Sequence, residues 1–321
     1  MPRFDVTTIG EGQLRYSVPA GKRLAEMNQL DVHVTGTELN VVCLLSRLGW
    51  HTGWVSGLPD SPLGQRVLMA LKLAGVDDTA VSHTPNHRLA TYYVEFAHPP
   101  RSSQVYYDRA NTAFTNLTHT DIDWDYLQDT RLLHISGLTV PLSSGVREIL
   151  LEAITRAKAD GIPVSFDMNY RSRIWTPEEA AEGVLPFIQQ TDLLLYPARD
   201  ARLMYGFSEE PEELLHQLAE LSGAQYVVTS LGADGLAGWD GQHYYREPVR
   251  ATVVVDRIGA GDAMVAGVLH GWLQGDFAKG LRYGALTAAL ALSQYGDQVI
   301  TTRRELEMLL ESITFGGDIT R

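Results

Sequence analysis

The spacing of apolar positions changes several times along the chain, and each change predicts an element. Residues 4–10 alternate enough for a first strand that ends at Gly10. From 12 to 35 short polar and apolar alternations are broken by Pro19 and Gly21 and carry no helical period, which predicts strands lying over a surface. The period then becomes helical: Val41, Leu44, Leu45 and Leu48 recur three and four apart until Gly49 supplies a stop. Residues 52–56 predict the next strand, and 63–74 a helix closed by Gly75. Two runs rich in Tyr, Val and Thr, 88–96 and 103–109, again predict strands, separated by HPPR.

From 131 onward the alternation is regular. Strands at 132–137, 164–167, 193–196 and 226–230 are separated by predicted helices at 144–160, 177–190 and 199–221. That order predicts an α/β fold, a parallel sheet wound by helices on both faces. The segments 12–35 and 88–110 offer no helix to cover a parallel strand, so together they predict a second, small sheet. In a doubly wound sheet, ligands bind at the carboxyl ends of the strands. Gly36, Asp167, Asn169, Asp200, Gly232 and Asp262 all follow apolar runs and are expected there.

Composition narrows the partners. The 321 residues are 45% hydrophobic and 20% charged, an ordinary globular balance with enough chain to bury a sizeable core. With 39 acidic residues against 26 basic, the net charge of −13 argues against nucleic acid or an anionic membrane as partner and favours small-molecule chemistry. The single cysteine, Cys43, excludes an intrachain disulfide, falls in an apolar helical run and is read as core. No basic segment followed by an apolar stretch opens the sequence and no apolar run approaches a membrane span, so a soluble, cytoplasmic protein is expected. The ten histidines have no ligand spacing, and neither a zinc motif nor a P-loop is present. The GEG at 10–12 lacks a third glycine and a following helix, so it is not read as a dinucleotide fingerprint.

Four stretches carry candidate chemistry. In VVDRIGAGDAM (254–264) a β-branched run breaks into Gly259, Ala260 and Gly261 and then opens an apolar helix. The first amides of that helix are unpaired and suit an anion, and Asp262 stands at the rim of the pocket as a proton acceptor. FDMNYRSRIW (166–175) delivers a carboxylate, an amide and two guanidiniums to a strand end, a combination suited to carboxylate or phosphate. TSLGADGL (229–236) is either a hairpin turn or a glycine-lined ligand border. In YYDRAN (106–111), Tyr107 and Arg109 lie two apart and share one strand face, where they either cover a ligand or form a polar surface.

Taken together these stretches resemble the ribokinase-like (PfkB) family of carbohydrate kinases, over nearly the whole chain. GTELNVV (36–42) with RLGWHTGWVS (47–56) resembles the N-terminal sugar-binding signature, and DRIGAGDAM (256–264) the C-terminal one. DMNYRSRIW (167–175) looks like the version found in 2-keto-3-deoxygluconate kinases. The resemblance implies a core of 1–11, 36–87 and 111–321 with a β-sheet lid of 12–35 and 88–110. It implies that Asp262 is the base and that Gly259, Ala260 and Gly261 hold the transferring phosphoryl group. Gly36, Asn40, Tyr92, Tyr107, Arg109 and Arg171 would contact the sugar or sugar acid. Asn169, Ser230, Gly232 and Gly235 would border ATP, and Mg2+ would come with ATP near Asp200. The family's monovalent-cation loop is altered at Arg257 and Ile258, so Arg257 is a candidate to replace that ion, and PARD (197–200) replaces the family's Asn-x-x-Glu. A homodimer through the lid sheet is expected. The substrate implied is 2-keto-3-deoxygluconate, with a neutral sugar such as fructose or ribose, or a catalytically weakened sugar-binding homologue, as alternatives.

Overall fold

The computed structural model describes residues 2–250 and 252–315. Its first strand, β1 (Val6–Ile9), is buried along its whole length, as befits a strand covered on both faces. The chain then leaves the core through β2 (Gln13–Val18) and β3 (Asp31–Thr35) and returns through α1 (Thr37–Arg47), β4 (Thr52–Leu58), α2 (Pro62–Ala74) and β5 (Val81–His83). A second excursion forms β6 (Ala90–Glu95) and β7 (Gln104–Asp108). Next come α3 (Trp124–Gln128), β8 (Leu133–Ser136), α4 (Ser144–Ala159), β9 (Val164–Asp167), α5 (Pro177–Ile188) and β10 (Leu193–Leu195). The last part holds α6 (Ala198–Tyr205), α7 (Pro211–Ser222), β11 (Tyr226–Ser230), β12 (Leu236–Trp239), β13 (Tyr244–Glu247), α8 (Ala260–Leu273), α9 (Phe277–Leu292) and α10 (Arg303–Phe315).

Nine strands make one sheet in the order β13-β12-β11-β10-β9-β8-β1-β4-β5, parallel from β11 to β5 and antiparallel across β11, β12 and β13. Period-two alternation sorts its side chains between two cores. Leu194 and Val227 join the apolar residues of α4, α5 and α7, while Leu193, Leu195 and Val228 join those of α1, α8 and α9. Cys43 is fully buried in the second core. The small sheet is separate, in the order β3-β2-β6-β7, two strands from each excursion, with β2 and β6 parallel at its centre.

One expectation needs correction. The helical run at 199–221 is two helices, because Gly206 closes α6 in the left-handed region (φ 66°) and Pro211 opens α7 at its first position. The stretch after Ser230 extends the main sheet as β12 and β13, four residues each, too short to stand out as strands in the sequence. Residues 316–321, assigned to the core from sequence, lie outside the described residues.

Candidate active site

A cavity of about 600 Å³ opens between the small sheet and the carboxyl ends of β8, β9, β10 and β11. The amino end of α8 forms one wall. Gly259 caps that helix at φ 86°, and a Cβ there would lie 2.3 Å from the Asp297 carbonyl oxygen, so only glycine fits. The Ala263 amide is the first to reach a helical carbonyl, Gly259 O at 2.9 Å, and the amides of Ala260 and Gly261 precede it on the cavity wall. They form a positively polarised site for an anion.

Asp262 stands in the first turn of α8 and is 8% exposed. Its Oδ1 accepts from Thr37 Oγ1 at 2.7 Å and Asn169 Nδ2 at 3.2 Å, and its Oδ2 from Asn40 Nδ2 at 2.7 Å. Burial pushes this carboxyl up to about 6, against the downward pull of Asn40, Thr37 and Arg171. Burial pushes the carboxyls of Asp167 and Glu38 further, to about 8 each. At neutral pH Asp262 is therefore the ionised member of the three, and the others are largely protonated.

The remaining expected residues fall into two groups. Gly36, Tyr92, Tyr107, Arg109 and Arg171, expected at the sugar, line the cavity beside the small sheet and the end of β9. Tyr92 and Tyr107 face each other across β6 and β7, and the Tyr92 hydroxyl donates to Asp297 Oδ1 at 2.8 Å. Arg171 is exposed, forms no ion pair among the described residues and touches only the Tyr170 carbonyl at 3.3 Å. Arg109 is more constrained: Nε and Nη2 donate to Glu11 Oε2 at 3.0 and 2.8 Å, leaving Nη1 buried without a partner. Asn40 does not line the cavity but stands behind Asp262 as its donor. Asn169, expected beside the nucleotide, holds φ 40° and turns its amide onto Thr37 and Asp262 instead.

At the other end, Ser230, Gly232 and Gly235 border the cavity on the turn between β11 and β12, so the stretch is both a hairpin and a ligand border. Leu236, Val249, Ala285, Ala288, Ala289 and Leu292 make an apolar lining beside it, of the kind that receives a flat base. Asp200 lines the cavity between the two ends, its carboxyl raised by burial against the pull of Arg199 and Arg171. Among the described residues no three His, Cys, Asp or Glu side chains converge as a metal cage. The donor set fits a hard cation held by one or two carboxylates together with phosphate oxygens and water.

Sequence reasoning passed over β2 of the small sheet. Arg15 is fully buried, with Nη2 at 2.7 Å from Asp256 Oδ2 and Nη1 at 3.2 Å from Asp297 Oδ2. Arg257, the expected replacement for a cation, is instead exposed on the cavity wall without an ion pair among the described residues. Glu11 was also missed; it is 2% exposed and accepts from Thr112 Oγ1 at 2.6 Å as well as from Arg109. A charged residue inside a buried strand pattern was the available signal for Arg15.

Comparison with known proteins agrees with this geometry. A 2-dehydro-3-deoxygalactonokinase of Haloferax volcanii is 35% identical over 315 residues, 98% of each chain. The crystal structure of a 2-dehydro-3-deoxygluconokinase from Thermotoga maritima superposes with a TM-score of 0.86 at 30% identity, covering 96% of this chain and 100% of that one. A protein from E. coli described as a ribokinase II, solved with ATP and Mg2+, shares the fold with a TM-score of 0.87 at 21% identity, over 96% of this chain and 99% of its own. The model of the pfkB family of carbohydrate kinases matches residues 5–303. Both signature regions and the whole doubly wound sheet lie within that match, and the chain belongs to the pfkB family of carbohydrate kinases.

Proposed function

We propose that this kinase transfers the terminal phosphoryl group of ATP to a hydroxyl of a 2-keto-3-deoxy sugar acid, with 2-keto-3-deoxygluconate as the best candidate. One observation carries the reading: a buried, ionised Asp262 beside the amides of Ala260 and Gly261, in a cavity that also holds the unpaired guanidinium of Arg171. Asp262 takes the hydroxyl proton as that oxygen bonds to the γ-phosphorus. The bond from phosphorus to the β,γ-bridging oxygen breaks, and ADP leaves. The amides of residues 259–261 stabilise charge on the transferring group. Arg171 holds the carboxylate, Arg109 offers its free Nη1, and Gly36, Tyr92 and Tyr107 shape the sugar pocket. Asn40 and Asn169 serve by holding Asp262. The apolar lining takes the base of ATP, with Ser230, Gly232 and Gly235 along its edge. Asp200 would help hold the Mg2+ that comes with ATP, and that ion would neutralise charge on the phosphates. The sugar-acid kinase names of the Haloferax and Thermotoga relatives support the substrate class, and the Mg2+ and ATP of the E. coli structure support the cofactors for the fold.

Finer features of the reading follow. Residues 12–35 and 88–110 act as a lid over a core of 1–11, 36–87 and 111–321. On the face turned away from the cavity Tyr106 is 51% exposed beside the half-buried, stacked pair Tyr16 and Tyr93, a strip suited to a second copy of the chain, so the protein is a homodimer. Light scattering should give twice the chain mass, and a monomer would refute this. No described helix is long and apolar enough to cross a membrane. We place the protein in the cytoplasm, where its single buried thiol stays reduced. A buried guanidinium beside Asp256 removes the need for a monovalent cation there.

The test is ADP release with Mg2+ on a panel of sugar acids and neutral sugars, with and without potassium. The 2-keto-3-deoxy acids should be preferred, and potassium should leave turnover unchanged. A preference for fructose or ribose sinks the acid reading, turnover of no sugar revives the binding-protein alternative, and several-fold activation by potassium sinks the cation reading.

A further inference from the structure

The small sheet sends one charge through to the anion site. Arg15, on β2 opposite His33 and Tyr92, leaves the sheet face that looks into the cavity and ends between Asp256 and Asp297, with no part of its side chain exposed. The Asp256 carboxylate grips the segment that forms the anion site, and the backbone of Asp297 packs on it. Asp256 Oδ1 accepts from the Ile258 amide at 3.0 Å, and its Oδ2, bound to Arg15, also accepts from the Gly296 amide at 3.3 Å. Asp297 takes the Tyr92 hydroxyl on Oδ1, and its backbone packs directly on Gly259. The cluster thus joins β2 and β6 of the small sheet to both loops that border residues 258–261. One guanidinium answers two buried carboxylates, and Arg15 Nε has no hydrogen-bond partner of its own, so charge and position rather than saturated hydrogen bonding hold it there.

We propose that Arg15 is a positioning residue for phosphoryl transfer: a guanidinium built into the lid that holds Asp256, and through it the amides after Ile258, in the orientation that binds the transferring group. This rests on the reading of residues 259–261 as the anion site. Without Arg15 the two carboxylates face each other uncompensated in a dry site. The loop relieves them by turning Asp256 toward solvent, which withdraws the acceptor of the Ile258 amide and disorders the amides beyond it. Of the sugar pocket, only Tyr92 touches the cluster, through its hydroxyl on Asp297 Oδ1; Arg109, Arg171 and Tyr107 make no hydrogen bond to it among the described residues.

The test is steady-state kinetics of Arg15→Ala, Arg15→Lys and the charge-balanced pair Arg15→Met with Asp256→Asn. Arg15→Ala should lose about a hundredfold in kcat, the scale of losing an oriented anion-hole donor, with the KM for the sugar acid within about threefold. Guanidinium ion added to Arg15→Ala should restore about tenfold or more, because it refills a cavity faced by two carboxylates, and should not help the wild type or the double variant. Arg15→Lys keeps the charge and should retain more kcat than Arg15→Ala. If Arg15→Ala does not fold, the double variant carries no uncompensated carboxylate at 256 and should fold with equally low kcat. Wild-type kcat in either variant overturns the proposal, as does a loss that guanidinium never rescues and that falls on KM as heavily as on kcat. If the wild type phosphorylates no sugar acid, the functional reading fails first and takes this inference with it.

Discussion

Replacing Asn40 by Leu separates two roles for that residue. In the structure its Nδ2 is the only donor to Asp262 Oδ2 among the described residues, at 2.7 Å, and both groups are buried. Leu matches Asn in shape but cannot donate. A hydrogen bond to a charged group contributes about 1.5–3 kcal/mol, and each pKa unit is about 1.4 kcal/mol, so its loss should raise Asp262 by roughly one to two units. The donors on Oδ1, Thr37 and Asn169, remain. The wild-type acid limb of kcat/KM should lie near 6, with activity lost as pH falls through that value because the base becomes protonated. In Asn40→Leu the limb should move to roughly 7–8, which cuts the ionised fraction at pH 7 from about 0.9 to between about 0.5 and about 0.1, while the alkaline plateau is little changed. The assay is a coupled measurement of ADP release from pH 5 to 9, numbers chosen to span about two units on either side of neutrality. An acid limb that stays near 6 together with a raised KM for the sugar would refute the reasoning and return Asn40 to the role of a direct sugar contact.

Other perturbations test separate parts of the site. Arg171→Met should cost about 2 kcal/mol in kcat/KM for a sugar acid, roughly thirtyfold, and little for a neutral sugar; equal losses on both would show that Arg171 does not read the carboxylate. Gly235 has φ 91° and an added Cβ would lie 2.1 Å from the Glu247 carbonyl oxygen, so Gly235→Ala should destabilise the fold by about 1–3 kcal/mol. Its thermal midpoint should fall and its KM for ATP rise; an unchanged melt would contradict the geometry of this turn.

Local patterns in the sequence carried most of the architecture. Three consecutive leucines at 193–195 announce a strand buried on both faces, and they sit at the heart of the main sheet. The helix-free stretches before Gly36 and before Asn111 supply the four strands of the small sheet. Glycines with an aspartate at 259–262 located the wall of the cavity, because backbone freedom and an unpaired helix end are local properties. What stayed hidden depends on distant partners. Arg15 and Asp256 are 241 residues apart, and nothing in their spacing joins them. Arg109 read as a free guanidinium until Glu11, 98 residues earlier, was found against it. Asn40 was implied as a sugar contact by the resemblance of 36–42 to the sugar-binding signature; the turn of α1 carries its amide to Asp262. The break at Gly206 and Pro211 was legible, since a left-handed cap followed by a helix-opening proline is a stop and a start, but an apolar period continuing on both sides masked it.

The most direct test of the account is the turnover of Asp262→Asn beside its affinity for sugar acid. Asparagine keeps the size of the side chain and one of its two acceptor oxygens but cannot take up the hydroxyl proton. With 2-keto-3-deoxygluconate, ATP and Mg2+, the variant should lose about two to four orders of magnitude in kcat, while calorimetric binding of the sugar acid stays within a few-fold of wild type. Turnover within about tenfold of wild type would contradict the assignment of Asp262 as the base, and with it the mechanism built around the amino end of α8.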